Sequence, residues 1–152
     1  MRRCLAYNTL LFIFPQINLM FNKYSTDYGL LIIRAGMGIL FLIFGWPKII
    51  GGTEMWNGIG GSMANVGIHF APTFWGFMAA FAEFAGGICL ITGFLFRPAL
   101  AMLIFTMFIA GLMHYVKGDG FNGYNHALEC GIIFLGLFIS GPGKYALKIS
   151  RR

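Results

Sequence analysis

Charge is the scarcest ingredient of this sequence. Asp, Glu, Lys and Arg make up 11% of the 152 residues, while 58% are hydrophobic. A soluble globular domain carries about 25% charged residues. A chain this short buries too small a share of its surface to hide so much apolar material in one core. Lipid is the simple cover for the excess. Acidic residues are rarest, five against eleven Lys and Arg, for a net charge of +6. No polar domain presents that charge as a basic stripe, so no nucleic-acid partner is expected. The charge reads as topology, since Lys and Arg gather at the ends of membrane spans.

Cysteine is also scarce. Cys4, Cys89 and Cys130 are widely spaced and form no CxxC pair, which removes sequence support for a thiol–disulfide centre or a zinc site. Cys89 and Cys130 stand in apolar runs and read as small hydrophobes. A nucleotide-binding glycine loop, a nucleophile elbow, a haem-attachment motif and paired catalytic carboxylates are all missing. No catalytic residue and no metal site are therefore assigned. Seventeen Phe and nine Met read as lipid-facing surface.

What is present is a set of long apolar runs. A spanning helix needs about 20 mostly apolar residues, and four segments qualify: Tyr28–Trp46, Thr73–Phe96, Ala99–Val116 and His126–Gly141. Pro47, Pro72, Pro98 and Pro142 fall between the runs, where a missing backbone donor is tolerated. The expected fold is an all-α membrane protein, a four-transmembrane-helix bundle. Ile50–Pro72 is expected to add a short interfacial helix in the outer loop, with Trp56 as its anchor and its glycines making it a flexible lid. Residues 1–22 form an apolar extension interrupted by Asn8, Pro15, Gln16 and Asn18. An interfacial helix, a signal-like anchor and an artefact of start assignment remain open for it, the last favoured because Met20 could begin a complete four-span domain over 23–152.

Orientation follows from the basic residues. With four spans, Arg2, Arg3, Lys23, Arg97, Lys144, Lys148, Arg151 and Arg152 share one face, and only Lys48 and Lys117 lie on the other. Positive charge marks the cytoplasmic side, so both termini are expected there.

Three charges fall inside the runs: Arg34, Glu83 and Glu129. Each costs about 2.5–3.5 kcal/mol at a helix centre on insertion scales, so each is expected to face the bundle interior with a partner. Glu83 lies near the middle of its run, and the long side chain of Arg34 is its nearest expected partner. Such a pair could handle protons or could simply fix helix register. Near the outer face, His114 ends the third run while His126 and Glu129 open the fourth, three residues apart on one helix face. That set could bind a metal, donate to a quinone carbonyl or relay protons, or be interfacial polar residues with no further role. His69, in the loop, is a weaker candidate. Small residues follow the charges, Gly36 and Gly38 after Arg34, Gly86 and Gly87 after Glu83, Gly131 after Glu129. They read as close helix contacts. Arg34–Gly45 and Glu83–Gly93 resemble each other as a faint internal repeat.

The run Leu30-Leu31-Ile32-Ile33-Arg34 leading to Gly38, then Gly45-Trp46-Pro47-Lys48-Ile49, Glu83-Phe84-Ala85-Gly86-Gly87, Gly93 with Arg97, and His114 followed by Glu129 resembles the DoxX family of small bacterial membrane proteins. The likeness covers about Lys23 to Lys144. It implies a four-helix bundle in the inner membrane and a link to redox systems, among them subunits of a thiosulfate:quinone oxidoreductase and partners of oxidative-defence enzymes. Many relatives carry a histidine where this chain has Phe44, so a role resting on that histidine does not carry over. The leading functional expectation is a membrane subunit or accessory of a redox system, serving a soluble redox or sulfur-handling enzyme, with quinone as its cofactor. A proton-coupled transporter, as a homo-oligomer, is the second, and a structural assembly factor the third.

Overall fold

The computed structural model describes residues 2–147, with side chains from Ser25 onward. The readings of residues 1–22, and of Lys148, Arg151 and Arg152, lie outside the fully described residues. The chain is helical. In order come α1 (Arg2–Ile50), α2 (Gly52–Gly60), a 3₁₀ turn (Gly61–Val66), α3 (Pro72–Thr92), α4 (Phe96–Lys117) and α5 (Phe121–Ser140). Among the described residues there is no strand. Among the described residues three helices are long and apolar enough to cross a membrane: Ser25–Ile50 of α1, α3 and α4. α5 has 20 residues but stands outside that set.

The boundaries differ from expectation in three places. The first helix runs through Pro47 to Ile50, because a proline one turn from a helix end disturbs little of the ladder behind it. The second stops at Thr92, where Gly93 takes the left-handed conformation (φ 75°) and donates its N–H to the Cys89 carbonyl. That glycine cap ends a helix that hydropathy alone would extend to Phe96. The last helix begins at Phe121, so His126 and Glu129 lie well inside it.

Helices in lipid gain little from burying apolar surface and associate through close packing of small residues. α1 and α3 do so backbone to backbone. A Cβ at Gly38 would sit 2.7 Å from the Gly87 carbonyl oxygen, and one at Gly87 would sit 2.8 Å from the Gly38 oxygen. One end of the contact continues at Gly45, where a Cβ would be 2.7 Å from the Phe84 nitrogen. Gly38 and Gly87 each follow a charge by four residues, so the two resembling segments meet at their matching glycines. Phe41, Leu90, Leu100, Leu103, Met107 and Phe134 fill the core among α1, α3, α4 and α5. The Phe41 and Phe134 rings meet edge to face, centroids 4.8 Å apart.

α2 lies across the start of α3 as a roof. A Cβ on Gly60 would fall on the Pro72 carbonyl, and one on Gly76 on the Trp56 carbonyl. Of the glycines expected to loosen this loop, Gly60 instead brings two backbones into contact here. Trp56 is half-buried. Its indole N–H donates to the Lys48 carbonyl at 2.8 Å, and its ring packs edge-on against Phe77.

At the opposite end, the segment after α5 folds back over the bundle. Arg34, 1% exposed, donates from Nη1 to the Pro142 carbonyl at 2.8 Å and from Nη2 to the Tyr145 carbonyl. The Leu147 N–H bonds the Thr92 carbonyl at 2.9 Å.

Gly87→Leu should drive a side chain into the backbone of α1, which cannot move aside as a flexible side chain would. Overpacking of this kind costs about 1–3 kcal/mol. The thermal unfolding midpoint in detergent should fall clearly for Gly87→Leu. It should barely change for Gly36→Leu, where nothing lies within 4 Å of an added Cβ.

Candidate ligand cavity and its ion pair

Glu83 is the twelfth of the 21 residues of α3 and is 4% exposed. Its partner is Lys48, not Arg34. Lys48 Nζ donates to both carboxylate oxygens, at 2.7 Å to Oε1 and 2.6 Å to Oε2. The reach follows from packing. Lys48 stands three residues past Gly45, where α1 lies against the backbone at Glu83–Phe84, and its four-carbon stem turns the ammonium inward. Arg34 is engaged at the far end of the bundle, so the expected Arg34–Glu83 pairing does not form.

The ion pair borders a cavity of about 680 Å³, within the range of roughly 300–1,000 Å³ common to small-molecule sites. One wall is α3, with Trp75, Met78, Ala79, Ala82 and Glu83 at helical spacing. The facing wall is α4, from Met102 and Phe105 to His114 and Lys117, and the α2–3₁₀ segment closes over it with Met63 buried beneath. The lining is mostly apolar with a few polar groups. Among the described residues the buried Trp75 Nε1–H has no hydrogen-bond partner, at a cost of about 1–3 kcal/mol, and it is shielded from the cavity that the rest of its side chain lines.

His114 lies at the rim. Its Nδ1 is 2.6 Å from Asp119 Oδ2, a carboxylate that fixes the ring and leaves Nε2 as the other functional nitrogen. The expected grouping of His114 with His126 and Glu129 is not what the structure shows. His126 stands against α1, its ring edge-on to Phe44 at 5.6 Å and its Nε2 3.9 Å from Cys130 Sγ. Glu129 is exposed on α5, and His69 is exposed in the loop. Among the described residues no three His, Cys, Asp or Glu side chains gather as a metal-ligand set.

Sequence reasoning missed three members of this site. Lys48 was counted only as a charge at a span end. Asp119 lies five residues after His114, past the helix end, where helical periodicity does not look. Trp75 was one apolar residue among many.

Residues 29–116, which carry both walls and the ion pair, match the family model described as DoxX. The chain belongs to the DoxX family. It is 36% identical over 132 residues to the inner membrane protein YqjF of Escherichia coli (strain K12), covering 82% of this chain and 93% of that protein. To the inner membrane protein YphA of the same organism it is 34% identical over 131 residues, covering 81% and 89%. No solved structure matches. This DoxX chain is thus an integral membrane protein whose matched region holds the cavity, while α5 lies beyond it.

Breaking a buried pair from one side leaves an uncompensated charge, at a cost of about 3–5 kcal/mol, whereas replacing both partners by apolar residues is often neutral. Lys48→Met should therefore lower the thermal midpoint markedly. Lys48→Met combined with Glu83→Met should recover most of the loss. Equal midpoints for the two variants would show that the pair is not coupled.

Proposed function

We propose that this DoxX protein is a membrane subunit of a redox system and that its cavity holds the ring of a quinone, serving a soluble redox or sulfur-handling enzyme. The cavity carries the reading. It is apolar enough for a ring and large enough to hold one, with a lysine–carboxylate pair at its border. A bound quinone would supply two-electron, two-proton carrier chemistry. The chain's own part is to orient and solvate. The Lys48 ammonium is a donor suited to a carbonyl oxygen. Glu83 is a carboxylate placed to take or give a proton, and His114, held by Asp119, links the cavity rim to water.

In this reading α5 is the fourth span and residues 23–152 act as one domain. The protein sits in the inner membrane, as the printed names of its relatives say of them. Both termini are cytoplasmic, in keeping with the excess of basic residues at that end. The roof formed by α2 then lies at the outer surface. A proton-coupled transporter is the second reading, favoured by one feature: an intramembrane carboxylate bordering a cavity is the usual equipment of a proton relay.

Titration of the purified protein with a decyl-tailed benzoquinone, read by tryptophan fluorescence, should give saturable quenching. Loss of one hydrogen bond to a charged group costs about 1.5–3 kcal/mol, so Lys48→Met combined with Glu83→Met, which keeps the fold but removes the charged donor, should weaken binding about tenfold or more. Purification from native membranes should bring down a soluble oxidoreductase. Absence of both quenching and that partner would overturn the proposal, and substrate-driven proton uptake by proteoliposomes would put the transporter in its place.

A further inference from the structure

The reading of the cavity as a ligand site leaves open how its occupant arrives. The helix geometry answers that. α3 and α4 are antiparallel and joined by the tight turn over 93–95. Glu83 lies ten residues before Gly93 and Phe105 ten residues after Leu95, so the two stand at one level. At ~1.5 Å per residue that level is ~15 Å from the turn, about half the ~30 Å hydrocarbon thickness. Next to this level the two helices pack closely, a Cβ on Gly86 lying 3.0 Å from the Leu103 side chain. Toward the roof the cavity lies between them.

The α4 wall is one stripe at spacings of three and four, Met102, Phe105, Ile109, Met113 and Val116. It runs beside the core stripe of Leu100, Leu103 and Met107. Ile109 is 7% exposed, but at the Glu83 level Met102 is 36% and Phe105 49% exposed. Residues that line the cavity and are also open to the surroundings form the frame of an opening. At this depth the surroundings are acyl chains, not water.

We infer that the cavity opens sideways into the bilayer through a window framed by Met102 and Phe105, and that its occupant is a single-chain amphiphile drawn from the membrane. The polar head enters to meet the Lys48–Glu83 pair, and the chain trails through the window into the hydrocarbon. The inference rests on the cavity being a ligand site, and it holds for any head group of that chemistry. A water-soluble occupant entering at the Lys117 rim would have no use for an opening at mid-depth.

The test uses the purified full chain in phospholipid nanodiscs and a long-chain alcohol carrying a photoreactive diazirine in its chain, with labelled residues mapped by peptide mass spectrometry. Label is expected on Met78 and Ala82, inside the cavity, as well as on the outward-facing Phe108. Met102→Trp, which adds bulk to the frame itself, should cut the interior label about fivefold and leave Phe108 unchanged. Phe105→Ala, which widens the frame, should raise it. Interior residues left unlabelled in the parent protein, or labelled equally in both variants, would overturn the window. Failure of decyl-benzoquinone to compete with the interior label would count against the quinone reading while leaving the window in place.

Discussion

The Glu83 carboxylate is the constraint on which the rest of the structure depends. It stands at the middle of an apolar helix, where an unpaired charge is expensive, so a cation must reach it. Lys48 does so at 2.6 Å because α1 lies against α3 without intervening side chains. Helices with ordinary residues at the contact stand about 8–10 Å apart. Gly38, Gly45 and Gly87 allow a closer approach. The roof depends on the same contact. The carbonyl of Lys48 receives the Trp56 N–H, so one residue fixes the buried carboxylate with its side chain and the covering helix with its backbone. Loss of the glycine crossing would therefore loosen the cavity's border and its cover together.

The helical fold and the burial of Glu83 were legible in the sequence because both follow from one-dimensional signals: long apolar runs, prolines between them, and a charge where none should be. The partner of Glu83 was not. Counting helical rise gives depth but not azimuth, so Arg34 appeared within reach although its side chain points to the far end. Lys48 was read as a topological charge, since a lysine at a span end usually extends outward to the interface. The glycines after Arg34 and Glu83 did announce a close contact, and they meet each other. The His114 set failed for a related reason. His126 and Glu129 share a helix with each other but not a direction with His114, and Asp119 lies past the end of the regular repeat. The cavity itself lies between α3 and α4 beneath the roof, an arrangement that no local pattern encodes.

The two cations that reach into the bundle, Arg34 buried and Lys48 half-buried, have separate tasks, and their chemistry explains the division. Arg34 holds two carbonyls three residues apart in the segment after α5. A planar fork with five donors can serve two separated acceptors at once, which a single ammonium does poorly. The acceptors follow the C-terminal end of α5, where the helix dipole favours a positive charge. Among the described residues the hydrogen-bond partners of Arg34 are these carbonyls and not a carboxylate. Lys48 faces a single carboxylate beside a cavity, where a compact charge on a flexible stem suits better. It can hold both oxygens of Glu83 and still turn toward a ligand, because its side chain is 36% exposed. Exchanging the two would fail at both ends: lysine at 34 would release one carbonyl, and arginine at 48 would push its wider head into the space that the cavity needs.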